Sequence, residues 1–176
     1  MLMRTAQDEQ QSPKYSHFER ERRWLVAADK VPTRGGQAGV LIEDRYICGT
    51  RIRLRRMTDE ATGAVSLKLT KKYDAADPRT RAIVTAYLTE AEYAVFAGLS
   101  ANELSKRRYK ADWRGLAFSV DVFAGSHAGL VLAEIEMDDH DSLCALAPPD
   151  WAGREVTDDE AFQGGNLAAS GLVPQP

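Results

Sequence analysis

Charged residues alternate with apolar ones in several segments that have the composition of β-strands. Segment 51–55 reads Arg-Ile-Arg-Leu-Arg, which places three guanidinium groups on one strand face and two aliphatic side chains on the other. Segments 19–23 and 132–137 each place two carboxylates on one face. Cations and carboxylates are therefore largely segregated by strand, and this pattern constrains the fold more than the composition does.

Eight segments carry a strand-like pattern, and many are separated by turns containing Gly, Pro or Asp. The predicted strands are 18–27, 39–47, 50–57, 65–73, 81–88, 103–113, 116–123 and 130–137. Three short helices are predicted at about 89–99, 139–146 and 161–169. The first begins with a Thr-x-x-Glu capping box, and Asp139 or Asp141 caps the second.

These elements predict an α+β, mainly β fold: a closed eight-stranded antiparallel β-barrel with a few helices packed outside. The apolar faces, such as Phe118, Val120 and Val122, then pack under the helices. The charged faces turn inward and line a hydrophilic tunnel. Because burying an unpaired charge is costly, charges in such a tunnel must pair with one another or bind ligands.

The bulk properties limit the class of protein. The chain has 176 residues, a net charge of −3 and two cysteines, Cys48 and Cys144, without CxxC spacing. It is predicted to be a single domain, 17–169, between a flexible arm, 1–16, and a loose tail, 170–176. No apolar run approaches the ~20 residues of a membrane span. A cytoplasmic protein without a signal peptide, disulfide framework or structural zinc site is expected.

The charged segments, in their order along the chain, resemble the CYTH superfamily, also called triphosphate tunnel metalloenzymes. Residues 19–23, Glu-Arg-Glu-Arg-Arg, resemble the family's opening ExExK motif but end in arginine. The basic pairs on later strands and the acidic segment 132–137 resemble the family's basic and acidic strands, and the match spans roughly 17–168. The resemblance implies a barrel that binds a triphosphate together with Mg²⁺ or Mn²⁺.

The chemistry of the side chains agrees with that expectation. Arginine forks bind phosphate oxygens bidentately and lysine adds point charge, while Mg²⁺ and Mn²⁺ prefer oxygen ligands. The candidate triphosphate-binding residues are Arg51, Arg53, Lys68, Lys72, Lys106 and Arg108, with Arg55 expected at the rim. The candidate metal ligands are Glu19, Glu21, Asp121, Glu134 and Glu136.

Arg23 and Tyr46 are the candidate catalytic residues, because the resemblance implies that a lysine at the end of ExExK pairs with a tyrosine to activate water. Arginine does not readily give up its proton, so with Arg23 that role is expected to be lost or altered. Two other departures concern substrate and rate. Segment 81–87 lacks the family's glutamates, with Thr85 the nearest counterpart, and 162–164 replaces a common Tyr-x-Asn.

The predicted function is metal-dependent hydrolysis of a triphosphate group, either inorganic triphosphate or a small organic or nucleoside triphosphate. Two alternatives stay open: a class IV-type adenylate cyclase, and a non-catalytic module that binds polyphosphate or a nucleotide. Nucleic acid is not expected as a partner, because carboxylates beside phosphates repel them unless a metal intervenes. No membrane partner is expected, and the protein is expected to be a monomer or homodimer. The sequence does not identify the organic group of the substrate.

Overall fold

The computed structural model describes residues 13–32 and 36–174. Its strands are β1 (His17–Leu25), β2 (Val40–Ile47), β3 (Ile52–Asp59), β4 (Val65–Lys72), β5 (Thr80–Tyr87), β6 (Ala101–Trp113), β7 (Leu116–Phe123) and β8 (Val131–Glu136). Its helices are α1 (Glu90–Ala97), α2 (His140–Ala145) and α3 (Gly164–Ser170). Most of the predicted arm 1–16, and residues 175–176 of the predicted tail, lie outside the described residues.

The eight strands form a closed antiparallel barrel in the order β1-β5-β4-β3-β2-β6-β7-β8. β1 closes it by pairing with β5 over residues 17–20 and with β8 over residues 21–25. Closure gives every strand described in the structure a neighbouring strand on both sides, which is how barrels avoid edge-to-edge association. The predicted fold class is confirmed.

The first two helices begin within a residue of the predicted positions, whereas α3 begins at Gly164, three residues after the predicted start. Thr89 and Glu92 form a reciprocal capping box at the start of α1, and the side chain of Asp139 accepts from Ser142 N at the start of α2. α3 follows a 3₁₀ turn, Glu160–Phe162, and ends at Gly171, whose φ of 63° is left-handed. These caps satisfy backbone groups that a helix end leaves without partners.

An apolar cluster packs against the outer face of the barrel. Phe118 is fully buried and contacts the rings of Trp24 and Trp151. Arg22 joins α2 to β1 nearby, because its Nη1 donates to the carbonyl oxygens of Leu143 and Leu146 at 2.9 and 2.8 Å. With the apolar side chains packed outside in this way, the alternating residues of the same strands face the lumen.

A second apolar cluster closes part of the lumen. Phe162 and Leu167, from the 3₁₀ turn and α3, pack against Leu104, Phe123 and Leu132 of the barrel. All five residues also line the internal cavity, so part of its lining is apolar and the rest is charged. Among the described residues, no helix is both long and apolar enough to span a membrane.

Candidate functional site

A cavity of about 580 Å³ lies inside the barrel and is lined by residues from all eight strands and from α3 with the turn before it. All thirteen predicted site residues line it. They are Glu19, Glu21, Arg23, Tyr46, Arg51, Arg53, Lys68, Lys72, Lys106, Arg108, Asp121, Glu134 and Glu136. The period-two alternation of the strands therefore brings together residues that are far apart in the sequence.

The basic wall of the cavity consists of β3, β4 and β6. Arg53 and Arg55 extend into the lumen from β3, Lys68 from the neighbouring β4 and Lys106 from β6. The Nε atom of Arg53 is buried and has no hydrogen-bond partner. A buried donor without a partner is unfavourable, and an anion in the lumen is one partner that would satisfy it.

Arg55 corrects one expectation. It was expected at the rim, but it is only 8% exposed and is held by a buried carboxylate, Asp44, directly opposite on β2. Arg55 Nε and Nη2 donate to Asp44 Oδ1 and Oδ2 at 2.6 and 2.7 Å. Burial would raise the pKa of Asp44, but Arg55 and Arg53 lower it to about 2.

Asp121, a predicted metal ligand, lies beside two cations. It is 1% exposed, and Arg108 donates to both of its oxygens at 2.7 Å. Lys106 donates to the same carboxylate. Both oxygens of Asp121 are therefore engaged by cations that face the cavity.

The acidic wall consists of the neighbouring strands β1 and β8. Glu21 lies directly opposite Glu136 in the strand pairing, and Arg23 lies opposite Glu134. Several of these carboxylates pair with cations, as Glu19 does with Lys72. Arg23 and Lys72 lower the pKa of Glu21 although burial raises it, and Arg108 is the main group that lowers the pKa of Glu134 against the same effect of burial.

Glu136 differs from the other carboxylates of this wall. Within the described part of the chain, its carboxylate has neither a hydrogen bond nor an ion pair. Its pKa is raised, first by partial burial and then by Glu19, Glu21 and Glu134. Like charges directly opposite on paired strands destabilise a sheet, so an added cation at this position would be favourable.

The acidic wall contains the oxygen donors that Mg²⁺ and Mn²⁺ prefer. No group of three or more His, Cys, Asp or Glu side chains has metal-binding geometry within residues 13–32 and 36–174. Instead, Glu19 and Glu134 point at Lys72 and Arg108. The donor chemistry and the uncompensated Glu136 fit a divalent cation, provided that these ion pairs rearrange.

Arg23 is held as a cation. Although burial lowers its pKa, the carboxylates of Glu21 and Glu134 raise it well above the ordinary value. Its Nη2 donates to Glu21, its Nη1 donates to the carbonyl of Phe162 at 3.3 Å, and its buried Nε has no hydrogen-bond partner. Arg23 can therefore stabilise negative charge but does not act as a base.

Tyr46 lies where α3 meets the barrel. A Cβ atom at Gly164 would come within 2.0 Å of the Tyr46 hydroxyl, so only glycine leaves room for that phenol. Burial and the charge of Asp44 raise the pKa of Tyr46, while Arg53 lowers it by a smaller amount. The hydroxyl consequently remains protonated at neutral pH.

Several contributors to the site were not predicted. Asp44 had a signal in the sequence, because it lies two residues before Tyr46 and shares its strand face. Arg81 lines the cavity beside Glu19, its partner in the β1–β5 pairing. Thr70 also lines the cavity, with its Oγ1 atom 3.0 Å from that of Thr85, the residue named above as the counterpart of a family glutamate.

Two curated proteins are similar to part of the chain. The inorganic triphosphatase of Acetivibrio thermocellus is 44% identical over 64 residues, which is 36% of this chain and 40% of that protein. The inorganic triphosphatase of Nitrosomonas europaea is 43% identical over 56 residues, 32% of this chain and 37% of that protein. The matched stretches thus span about two fifths of these relatives. No family model matches the chain.

A solved structure extends the similarity to nearly the whole chain. The inorganic triphosphatase NE1496 superposes with a TM-score of 0.56 at 26% identity, covering 85% of this chain and 97% of that one. The closed eight-stranded barrel with its charged lumen agrees with this likeness. The chain therefore has the triphosphate-tunnel fold of the CYTH type.

Proposed function

We propose that this protein hydrolyses a triphosphate group in a metal-dependent reaction inside the barrel, with inorganic triphosphate as the first substrate to test. The charge of the cavity carries the proposal. Among the described residues, nine Lys and Arg side chains and six Asp and Glu side chains line the lumen. The whole chain has a net charge of −3. A positive excess concentrated inside an acidic protein is an attractive environment for a polyanion.

The arrangement of the donors suits a chain of phosphate groups. Arg53 and Arg23 each have a buried Nε atom without a hydrogen-bond partner. These two guanidiniums belong to different walls of the lumen, β3 and β1. A triphosphate lying between the walls would give both guanidiniums an acceptor, and guanidinium–phosphate hydrogen bonds are among the strong ones. Lys68, Lys72 and Arg108 add positive charge along the same lumen.

The acidic wall would hold Mg²⁺ or Mn²⁺ through Glu19, Glu21, Glu134 and Glu136. A bound divalent metal polarises a phosphoryl group and lowers the pKa of an attacking water. The chain's own residues bind and orient the triphosphate between the two walls, and Arg23 stabilises negative charge beside the carboxylates. Phosphoryl transfer asks for little beyond such positioning and charge stabilisation.

The similar proteins support the hydrolase reading. Both curated relatives and the superposed structure carry the name inorganic triphosphatase.

A cytoplasmic location, the absence of a nucleic-acid partner and a monomeric or homodimeric state stay predictions.

Product analysis tests the proposal. The protein is incubated with tripolyphosphate, ATP or thiamine triphosphate in the presence of Mg²⁺, Mn²⁺ or a chelator. Orthophosphate release that requires the metal is the expected result, and the relative rates rank the substrates. Pyrophosphate together with cyclic AMP would identify a cyclase instead. Absence of any product from all three substrates would overturn the hydrolase proposal.

One observation favours a second function, which is triphosphate binding without turnover. Arg23 remains protonated where the resemblance implies a lysine. Under that alternative, tripolyphosphate raises the melting temperature but yields no product. An Arg23→Lys variant that gains hydrolysis would then identify the arginine as the cause of the lost turnover.

A further inference from the structure

Asp44 lies behind the basic wall and outside the cavity lining. It is 2% exposed, on the β2 face that also carries Tyr46. Its Cα is paired with that of Arg55 across β2 and β3. Neither substrate binding nor metal binding, as proposed above, uses this carboxylate, although it contacts two cations that line the cavity.

Asp44 holds one of these guanidiniums by hydrogen bonds and lies close to the other. Arg55 donates to both carboxylate oxygens in a bidentate pair, at 2.6 and 2.7 Å, which leaves Nη1 as the nitrogen that Asp44 does not engage. Arg53 Nε lies 3.7 Å from Asp44 Oδ1 without forming a hydrogen bond. The buried carboxylate of Asp44 therefore lies beside Arg53 and Arg55, the two arginines within β3 that line the cavity.

We propose that Asp44 is a positioning residue that orients Arg53 and Arg55 so that their remaining N–H groups face a bound triphosphate. The proposal rests on the proposed function, since it names the group that prepares the basic wall for its substrate. A bidentate carboxylate restricts the rotation of a guanidinium, and an oriented donor loses less freedom when it binds.

Charge alone predicts the opposite effect, which makes the proposal testable. Removing a negative charge beside the lumen increases the positive excess, so a purely electrostatic role for Asp44 predicts tighter anion binding in an Asp44→Asn variant. Orientation predicts weaker binding, because the asparagine presents one acceptor and one NH₂ donor to two guanidiniums. The sign of the change in KM decides between the two.

Tyr46 supplies a second readout from the same cluster. The charge of Asp44 adds to burial in raising the pKa of the Tyr46 phenol, and Arg53 and Arg55 oppose it. Removal of the carboxylate should therefore lower the pKa of Tyr46. Phenolate absorbance followed as the pH is raised reports this change, and a Tyr46→Phe variant identifies the signal.

The central experiment compares Asp44→Asn with Glu43→Gln in steady-state hydrolysis of tripolyphosphate. Glu43 is the matched control, because it is adjacent, exposed and on the other face of β2. We expect Asp44→Asn to raise KM about tenfold or more, with a smaller change in kcat, since hydrogen bonds to charged groups are involved. Glu43→Gln should leave KM unchanged. An unchanged or lowered KM in Asp44→Asn overturns the proposal.

Two further measurements keep the proposal testable if Asp44→Asn does not fold. Asp44→Glu keeps the charge but displaces the carboxylate by one methylene, and it should also raise KM, whereas an unchanged KM overturns the proposal. If the wild type hydrolyses no triphosphate, the proposed function fails, and the rise in melting temperature with tripolyphosphate is compared instead. A smaller rise in the folded Asp44 variant supports positioning. An equal rise, or none in the wild type, overturns it.

Discussion

The carboxylates of the barrel interior fall into two groups with different surroundings. Asp44 on β2 and Asp121 on β7 are buried, and cations engage both oxygens of each. On β1 and β8 the carboxylates lie close to one another, and Glu21 is paired directly with Glu136. Cations also pair with some carboxylates of this group, but Glu136 has no ion pair among the described residues. The first group lies beside the basic wall, and the second group forms the acidic wall.

One member of each group, Asp44 and Glu136, shows how these surroundings change the pKa in opposite directions. Despite burial, neighbouring arginines lower the pKa of Asp44 to about 2, whereas burial and three nearby carboxylates raise the pKa of Glu136. A carboxylate between two cations holds those cations in place. A carboxylate among carboxylates is a position where an additional cation stabilises the fold. The same side-chain chemistry thus underlies both proposals, orientation of arginines by Asp44 and metal binding by the acidic wall.

Replacing Asp121 by asparagine gives the largest expected effect and tests whether it belongs to the first group. Lys106 would be left buried without its anion, and Arg108 would keep only Glu134 as its carboxylate partner. Removing one partner of a buried pair costs about 3–5 kcal/mol. The free energy of unfolding in urea, measured at the same metal concentration for the wild type and the variant, gives the loss of stability. The metal concentration needed for half-maximal turnover should stay the same.

Glu60→Gln is the control for Asp121→Asn, because Glu60 forms an exposed ion pair with Arg107 at 2.8 Å. Exposed pairs contribute about 0–1 kcal/mol, so this variant should be nearly as stable as the wild type. If Asp121→Asn instead keeps its stability and needs more metal, Asp121 is a metal ligand, as first predicted from the resemblance.

Replacing Glu136 by glutamine tests the second group. Because a catalytic metal contributes several kcal/mol of transition-state stabilisation, metal-dependent turnover should fall by at least about 100-fold. Stability without metal should not fall, since the substitution removes repulsion among carboxylates. Phosphate release and the melting temperature measure the two effects. Glu103→Gln, on the barrel exterior, should change neither, and wild-type turnover in Glu136→Gln would remove Glu136 from the metal site.

The pH dependence of stability separates the groups without substrate or metal. Burial raises the pKa of Asp44, but Arg55 and Arg53, and to a smaller extent Lys106, lower it further than burial raises it. The folded state therefore favours the ionised form of Asp44. Its contribution is present above the unfolded pKa of about 3.9 and is lost as the pH falls to about 2, amounting to roughly 2–3 kcal/mol. Tyr46, whose pKa is raised, stays neutral in this range.

Urea unfolding of the wild type and Asp44→Asn between about pH 2 and pH 6 checks this contribution. The wild type should lose more stability than the variant as the pH falls. The contribution of Glu136 to stability changes with pH in the opposite direction, because its pKa is raised in the folded state. This contribution is present below the pKa of the unfolded state and is lost as the pH rises through the pKa of the folded state. Parallel curves for the wild type and Asp44→Asn would show that the Asp44 ion pairs do not stabilise the fold.

The sequence predicted the barrel and the lumen-facing residues because alternation along a strand is local information. Boundaries depended on turns that the pattern does not show. β3 begins at Ile52, for example, because Thr50 closes a turn back to the carbonyl of Ile47 through its backbone N and its Oγ1. Such shifts left the faces of the strands unchanged, so the site residues stayed together.

What the sequence could not supply was the register between strands. Asp44 acquires its role only because β2 and β3 pair so that it lies opposite Arg55. The contact between Gly164 and the Tyr46 hydroxyl likewise depends on how α3 packs against the barrel, about 120 residues further along the chain. Residues distant in sequence thus determine whether a given carboxylate lies beside cations, as Asp44 does, or beside other carboxylates, as Glu136 does.

The smallest expected effect concerns the basic wall itself and uses two arginines of β3. Arg53 faces the lumen, whereas Arg56 faces outward and pairs with the exposed Glu90 of α1 at 3.2 Å. Loss of one charged hydrogen-bond donor should raise KM for tripolyphosphate about tenfold in Arg53→Ala. Arg56→Ala removes the same charge from the same strand and should leave KM unchanged. Equal changes in both variants would mean that overall charge, rather than oriented donors in the lumen, attracts the substrate.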